Sequence, residues 1–368
     1  MKKRIRLSAL FFLLLSALVL TAVAAGGDAS DPLVSLSHLT QVFSGKVDAR
    51  VEEKLDASDQ SLLDAASAKL SGTAAAETTA SSWTELRVKS GDVLSGSAGL
   101  NVLVLAGSVK VTFASGAVVD VTAGTTVPSG TALTARHRCI TAENTSAAFT
   151  AVSKTAVLSY MGPYALALSS APDYNAMAGA LKTMHLFRGS FTGYGSGYDL
   201  ELAPTRLQAL IMFLRVLGEE DEALAFSGSA PFSDLAAGSD AAKYVGYAYE
   251  KGYTNGYTAT AWAPARTVNV YQYTEFVLRA LGYSSTANTD LSGTLDRSVD
   301  CGVLTSGEIS SLKAAPFLRA DLVYISYYAL DASAAEGGTL RSILISKGVF
   351  TAAEASAAKS LVKGNRIG

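Results

Sequence analysis

Cysteine, histidine and basic surplus are all scarce in this chain. Its two cysteines, Cys139 and Cys301, lie far apart in 368 residues, which rules out a disulfide framework and offers no metal-ligand spacing. The three histidines, His38, His137 and His185, fall in three different segments. No paired nucleophile or ligand cluster is therefore spelled out, and the sequence nominates no catalytic residue, no metal site and no cofactor. A formal net charge of −2 lacks the Lys and Arg excess that phosphate backbones demand, which argues against nucleic acid as a partner. Gly193-Tyr-Gly-Ser-Gly197 is glycine-rich but does not lead from a strand into a Lys-Ser/Thr helix start, so it reads as a flexible insertion and not a phosphate loop. After the first residues there is no second long apolar run, and stable membrane insertion is not expected.

The N-terminus has the form of a secretory signal. Lys2, Lys3, Arg4 and Arg6 precede the apolar stretch Leu7 to Val19, and Ala22-Val-Ala24 offers a small-residue cleavage site. Residues 1–25 read as this signal, with an uncleaved anchor as the alternative. Removing its four basic residues leaves a mature charge of about −6. Without disulfides, an exported chain of this length must be stable through core burial in two or three domains.

Residues 31–70 carry a helical pattern, with Leu36, Leu39, Phe43, Val47, Val51 and Leu55 three or four apart. A helix packed on its own domain or a short self-associating helix would both suit it. Residues 71–82, SGTAAAETTASS, read as a linker. The period then changes. Over 83–165, Val109, Val111 and Phe113 alternate with polar residues, and turn clusters such as Ser115-Gly116, Ala123-Gly124 and Pro128-Ser-Gly130 punctuate short strands. This predicts a small β-sandwich or barrel. Its strand-turn rhythm is similar to that of cupins, but a cupin metal site needs several histidines and this segment has only His137.

The second half is helical and repetitive. Ala241 to Lys251 places Tyr244, Val245, Ala248 and Tyr249 on one face; Gly252 and Gly256 bracket a turn; Tyr273, Phe276, Val277, Ala280 and Leu281 mark a second helix ended by Gly282. Phe213-Leu-Arg-Val-Leu-Gly218 lies over Val277-Leu-Arg-Ala-Leu-Gly282, with Gln208 over Gln272, and Phe317 to Leu330 repeats the closing helix. Three degenerate copies imply units that bury each other's faces. They are bounded at 171–225, 226–285 and 286–333, and residues 334–368 form a helical pair that caps the open end. The fold class expected is α+β multidomain: a small N-terminal β domain followed by an all-α three-repeat domain.

Phe232-Ser-Asp234, Ala248 to Gly252, Gly256, Trp262-Ala-Pro264 and Leu281-Gly282 in the middle copy, with Thr205-Arg206 and Leu318-Arg-Ala-Asp321 in the others, resemble the S-layer homology (SLH) domain. The resemblance implies a cell-wall-binding, cell-surface protein whose repeats hold a pyruvylated secondary wall polysaccharide on peptidoglycan. It carries that role to Arg206 and Arg319. Thr205 can cap the helix, and Arg206 stands in the first turn, where backbone N–H groups and a guanidinium could meet an acid group. Tyr253 and Tyr257 are the candidates to line a sugar groove. In the middle copy Val270 takes the arginine position, and Arg266 comes four residues early, so that groove is expected to be weak. Arg215 and Arg279 are expected to pack their stems along helices, and Glu219-Glu-Asp-Glu222 to be a solvated turn. Two other functions fit the same sequence: a carbohydrate-active enzyme or its inhibitor working through the β domain, and a self-associating surface-layer subunit.

Overall fold

Alternation of apolar and polar residues becomes a single antiparallel sheet. The computed structural model describes residues 78–189, 199–283, 290–364 and 366–367; the signal, the 31–70 helix with His38, and the 193–197 loop lie outside them. Nine strands run β1 (Thr78–Lys89), β2 (Val93–Gly96), β3 (Asn101–Ala106), β4 (Val109–Phe113), β5 (Val118–Asp120), β6 (Thr125–Val127), β7 (Arg138–Thr141), β8 (Ala147–Ala151) and β9 (Thr155–Ala167). Their order is β4-β8-β2-β9-β3-β7-β5-β6, with β1 also paired to β9. β1 starts inside the stretch read as linker, because Thr78 to Ala80 register with Gly162 to Tyr164. The sheet curls. After β6 the chain turns back along β4, where Val111 N–H donates to Thr131 O at 3.0 Å and Leu133 N–H to Val109 O at 2.8 Å. Val102, Val104, Val109, Val111, Phe149 and Leu158 fill the inside. This is a curled antiparallel half-barrel followed by helices, an α+β fold in two parts.

The described helices are α1 (Tyr174–Thr183), α2 (Arg206–Leu217), α3 (Glu220–Leu224), α4 (Asp240–Glu250), α5 (Val270–Ala280), α6 (Thr294–Asp300), α7 (Ser306–Lys313), α8 (Arg319–Ala329), α9 (Leu340–Ser346) and α10 (Ala352–Leu361). None is long and apolar enough to cross a membrane. The repeated helix ends seen in the sequence are α2, α5 and α8. Two of them open with complete capping boxes, Thr205 with Gln208 and Asn269 with Gln272. At α8 only the return arm exists, since Asp321 accepts from Leu318 N–H but leucine has no oxygen to give back. The three helices share one core: Phe213 stacks on Phe276 at 4.9 Å between ring centres, and Tyr273 Oη meets Ser326 Oγ at 2.5 Å.

Two sequence expectations change here. The last helical pair does not sit on an open end of an array. α10 packs on α1, Val349 abuts Gly218 at the end of α2, and Lys347 Nζ donates to Leu217 O at 3.2 Å. The pair therefore closes the helices back on the first unit. The acidic run is only half solvated: Asp221 and Glu222 are exposed, but Glu219 and Glu220 are not. Glu220 heads α3 and is buried, held by Arg215 Nε and NH2 at 2.9 and 2.7 Å and by Tyr244 Oη at 2.8 Å. A carboxylate in such surroundings is paired because unpaired burial is costly.

Residues 76–368 form one compact unit, and a buried charge joins its β and α parts. Lys154, in the β8–β9 turn, reaches Asp321 Oδ1 at 2.5 Å inside the helical part. Burial raises the Asp321 carboxyl above its usual range, and Lys154 opposes that rise. Lys154→Met should cost about 3 kcal/mol near neutral pH, the usual scale for stranding one member of a buried pair. The sign with pH follows from the raised value: a folded-state carboxyl that holds its proton more tightly gains stability as pH falls through its folded pKa. The variant, lacking the cation, is raised further, so its deficit should be largest above that range and shrink as pH approaches 4. Denaturant melts of both proteins from pH 8 to pH 4 check this; a deficit that grows on acidification would contradict it.

Candidate functional site

The first residues of α2 meet a loop of the next unit. Arg206 N–H donates to Arg266 O at 2.6 Å and Leu207 N–H to Pro264 O at 3.1 Å, while Val268 N–H returns to Pro204 O at 3.1 Å. Thr205 Oγ1 accepts from Gln208 N–H at 3.2 Å. The N–H groups expected to face an anion at this helix opening are thus already satisfied by the chain. The same holds at α8, where Arg319 N–H donates to Leu202 O at 2.8 Å and Ala320 N–H to Leu200 O at 3.0 Å. Side chains, not the helix termini, remain to recognise an acid.

The loop that covers α2 is shaped by residues legible in the sequence. Asp234 accepts from Trp262 N–H at 2.9 Å and from Ala263 N–H at 2.7 Å, and these contacts hold its carboxyl below the usual range. Ala263 takes a positive φ of 60°, a conformation that needs such support. Gly256 is required by space and not by φ: a Cβ there would lie 2.2 Å from Thr258 O and 2.6 Å from Phe232. Trp262 is fully buried and donates Nε1–H to Thr254 Oγ1 at 3.1 Å.

On this frame stand two stacked guanidiniums. Arg206 lies 4.7 Å from the Trp262 ring centre and donates an NH2 bond to Asn255 O at 2.5 Å. Its buried Nε has no hydrogen-bond partner. Arg266 lies 4.2 Å over the ring of Tyr257, which is 54% exposed. Burial, and after it the neighbouring Arg266 charge, depress the Arg206 guanidinium below its ordinary value. Thr205, Arg206 and Tyr257 are therefore brought together, with Thr205 serving as a cap. Tyr253 is turned inward: its hydroxyl donates to Glu219 at 3.1 Å and its ring meets Phe213 edge-on. Arg266 and Trp262 complete the place expected from Thr205, Arg206 and Tyr257. Arg266 was read within its own copy, whereas its position is set by the preceding unit.

Arg319 occupies a second, deeper place. It is 7% exposed, and burial is the main influence depressing its guanidinium. It lines a cavity of about 200 Å³ with Phe187, Gln208, Met212, Arg215 and Leu322. In the middle copy Val270 is buried at the position matching Arg206, and Lys313 lies 5.8 Å from the nearby Tyr271 ring centre.

The β part holds one cluster of chemically versatile side chains. His137 Nδ1 lies 2.7 Å from Asp120 Oδ2, and Cys139 pairs opposite Asp120 in the sheet. The thiol is fully buried, and burial, then Asp120, pushes it up to about 11. A protonated, enclosed thiol is a core residue and a poor nucleophile. His185 adopts φ 61° just after α1, with its ring 3.1 Å from Glu354 of α10. No family model matches the chain, and no curated protein sequence matches it.

Asp234→Ala should lower stability by about 1 kcal/mol through loss of its two hydrogen bonds, one part-buried and one exposed, and should release the loop under Arg206. Chemical denaturation gives the first effect. The second should appear as quicker amide exchange at Trp262 and Ala263 than in the wild-type protein; unchanged protection at both would contradict the bracing role.

Proposed function

We propose that this is an exported protein held noncovalently on a bacterial cell wall by its helical half. That half is a three-repeat module of the S-layer homology kind, and its ligand is an acidic, pyruvylated secondary wall polysaccharide. The curled β part is displayed from it. The observation that supports the reading most is the seam between the first two helical units. There a guanidinium at the first helical position lies across an aromatic face, with a second arginine beside it. Such planar cations fork onto carboxylates, and flat aromatic surfaces suit the apolar faces of sugars. Arg319, at the matching position of the third copy, supports a second seam that opens into a cavity. Val270 at the middle position supports two binding seams and not three.

The wall-binding role predicts how single arginines should behave. Arg206→Ala should weaken sedimentation with purified wall sacculi about ten- to a hundredfold, the loss expected for one charged hydrogen-bonding contact, with little change in melting temperature. Arg319→Ala should weaken it similarly but at some cost in stability, because its side chain is buried. Val270→Ala should leave binding nearly intact. A folded Arg206→Ala protein that binds like wild type, while folded Val270→Ala does not, would overturn both the repeat register and the seam.

A further inference from the structure

Leaving aside Arg319, which meets the Phe187 ring at 5.9 Å, the two stacked arginines at the first seam differ from the other well-placed arginines of the helical half. Arg215 is paired with Glu220, Arg279 and Arg297 with Glu275, Arg341 with Asp331, and Arg366 with Glu308. Among the described residues, neither Arg206 nor Arg266 has a carboxylate within ion-pair distance. Asp234 acts on Arg206 through its charge, while its two oxygens accept from the N–H groups of Trp262 and Ala263. Like charges held side by side oppose each other. Here the chain keeps them in place with aromatic faces, Trp262 beneath Arg206 and Tyr257 beneath Arg266, and with a backbone bond from Arg206 N–H to Arg266 O. Stacking covers the flat face of each guanidinium and leaves its N–H edge to hydrogen-bond outward. Arg206 Nε is buried without a partner, so the donors left to an outside acid are those of the terminal nitrogens that Asn255 O does not take.

We propose that this seam recognises a ligand bearing two anionic groups, one for each guanidinium, and that Arg266 is the residue that selects it. The ligand class is a doubly acidic glycan segment: two charged sugar residues in succession, or one residue carrying two acid groups. The proposal rests on the reading of the helical half as a binder of acidic wall glycan, and adds to it the charge that the glycan must present. Arg206 with Trp262 holds the first acid group against a buried platform. Arg266 with the exposed Tyr257 offers a second, shallower contact on the solvent side. A glycan with a single acid group would engage Arg206 and leave Arg266 idle.

Small carboxylates test this apart from any wall preparation. The chain has two tryptophans, so its indole N–H resonances in a nitrogen-15 spectrum can be assigned with Trp83→Phe, and the Trp262 signal then reports on the seam. Acetate is titrated against malonate, succinate and glutarate, which present two carboxylates at increasing separation. In the wild-type protein at least one dicarboxylate should shift the Trp262 signal with an affinity tenfold or more above that of acetate. Arg266→Ala should bring that dicarboxylate down to the level of acetate, and Arg266→Lys should recover only part of the difference because lysine lacks the planar stack. Arg206→Ala should abolish both responses while the Trp83 signal and melting temperature stay in place. If acetate and every dicarboxylate bind alike, and Arg266→Ala changes neither, the doubly acidic ligand is wrong and the single-arginine seam stands. If no carboxylate perturbs Trp262 while Arg206→Ala still weakens wall sedimentation, paired-anion recognition is likewise refuted. If wall sedimentation is also untouched, the wall-binding reading falls with it.

Discussion

The helical half depends on how two of its helices begin. A helix leaves its first N–H groups without intrahelical acceptors, and here the missing acceptors come from a neighbouring unit. Pro264 and Arg266 carbonyls serve α2, and Leu200 and Leu202 carbonyls serve α8. Neither unit is complete alone. The loops that lend these carbonyls are fixed by the same bonds, and the residue at the first helical position is turned into the seam between units. At both seams that residue is an arginine. The helix-terminal donors are thus used for assembly, and an acid meeting these openings would face guanidinium groups instead.

Much of this architecture was legible locally. Thr205 as a cap, and the correspondence of Gln208 with Gln272, marked helix starts that the structure places at Arg206 and Val270, each opened by a capping box. Alternation at Val109, Val111 and Phe113 marked a strand, and the 3.6-residue period marked the faces of α4 and α5. Phe232-Ser-Asp234 and Trp262-Ala-Pro264 were visible as separate motifs; that the aspartate braces the tryptophan peptide was not. What escaped the sequence were contacts between distant segments. Lys154 lies 167 residues from its partner Asp321, and nothing in a lysine on a β-turn distinguishes a buried ion pair from a solvated charge. Glu219 and Glu220 looked like a surface run because their partners, Tyr247, Tyr253 and Arg215, become neighbours only when α2, α3 and α4 pack.

Electrostatics divide the charged residues into two groups. Most are consumed by the fold. Glu308 is fully buried and receives Arg366 Nε at 2.5 Å together with the Tyr324 hydroxyl, which ties the C-terminal segment to α7 and α8. Glu275 likewise serves Thr294 and Arg297. These pairs fix geometry more than they add stability, since the cost of desolvation offsets much of their attraction. The Arg206–Arg266 pair belongs to the other group: neither guanidinium has an ion-pair partner among the described residues, and the Asp234 charge offsets only part of that on Arg206. The β part is not an independent appendage in this respect. Lys154 enters beside the first turn of α8, two residues from Arg319, so its seating and the second seam share one piece of backbone.

The most direct test of the account is binding of the purified full chain to wall sacculi before and after selective removal of their acidic secondary polymer. If acidic glycan at the seams holds the protein, sedimentation should be strong on intact walls, fall at least tenfold on stripped walls, and return when the released polymer is re-attached. Equal sedimentation with intact and stripped walls would contradict the account.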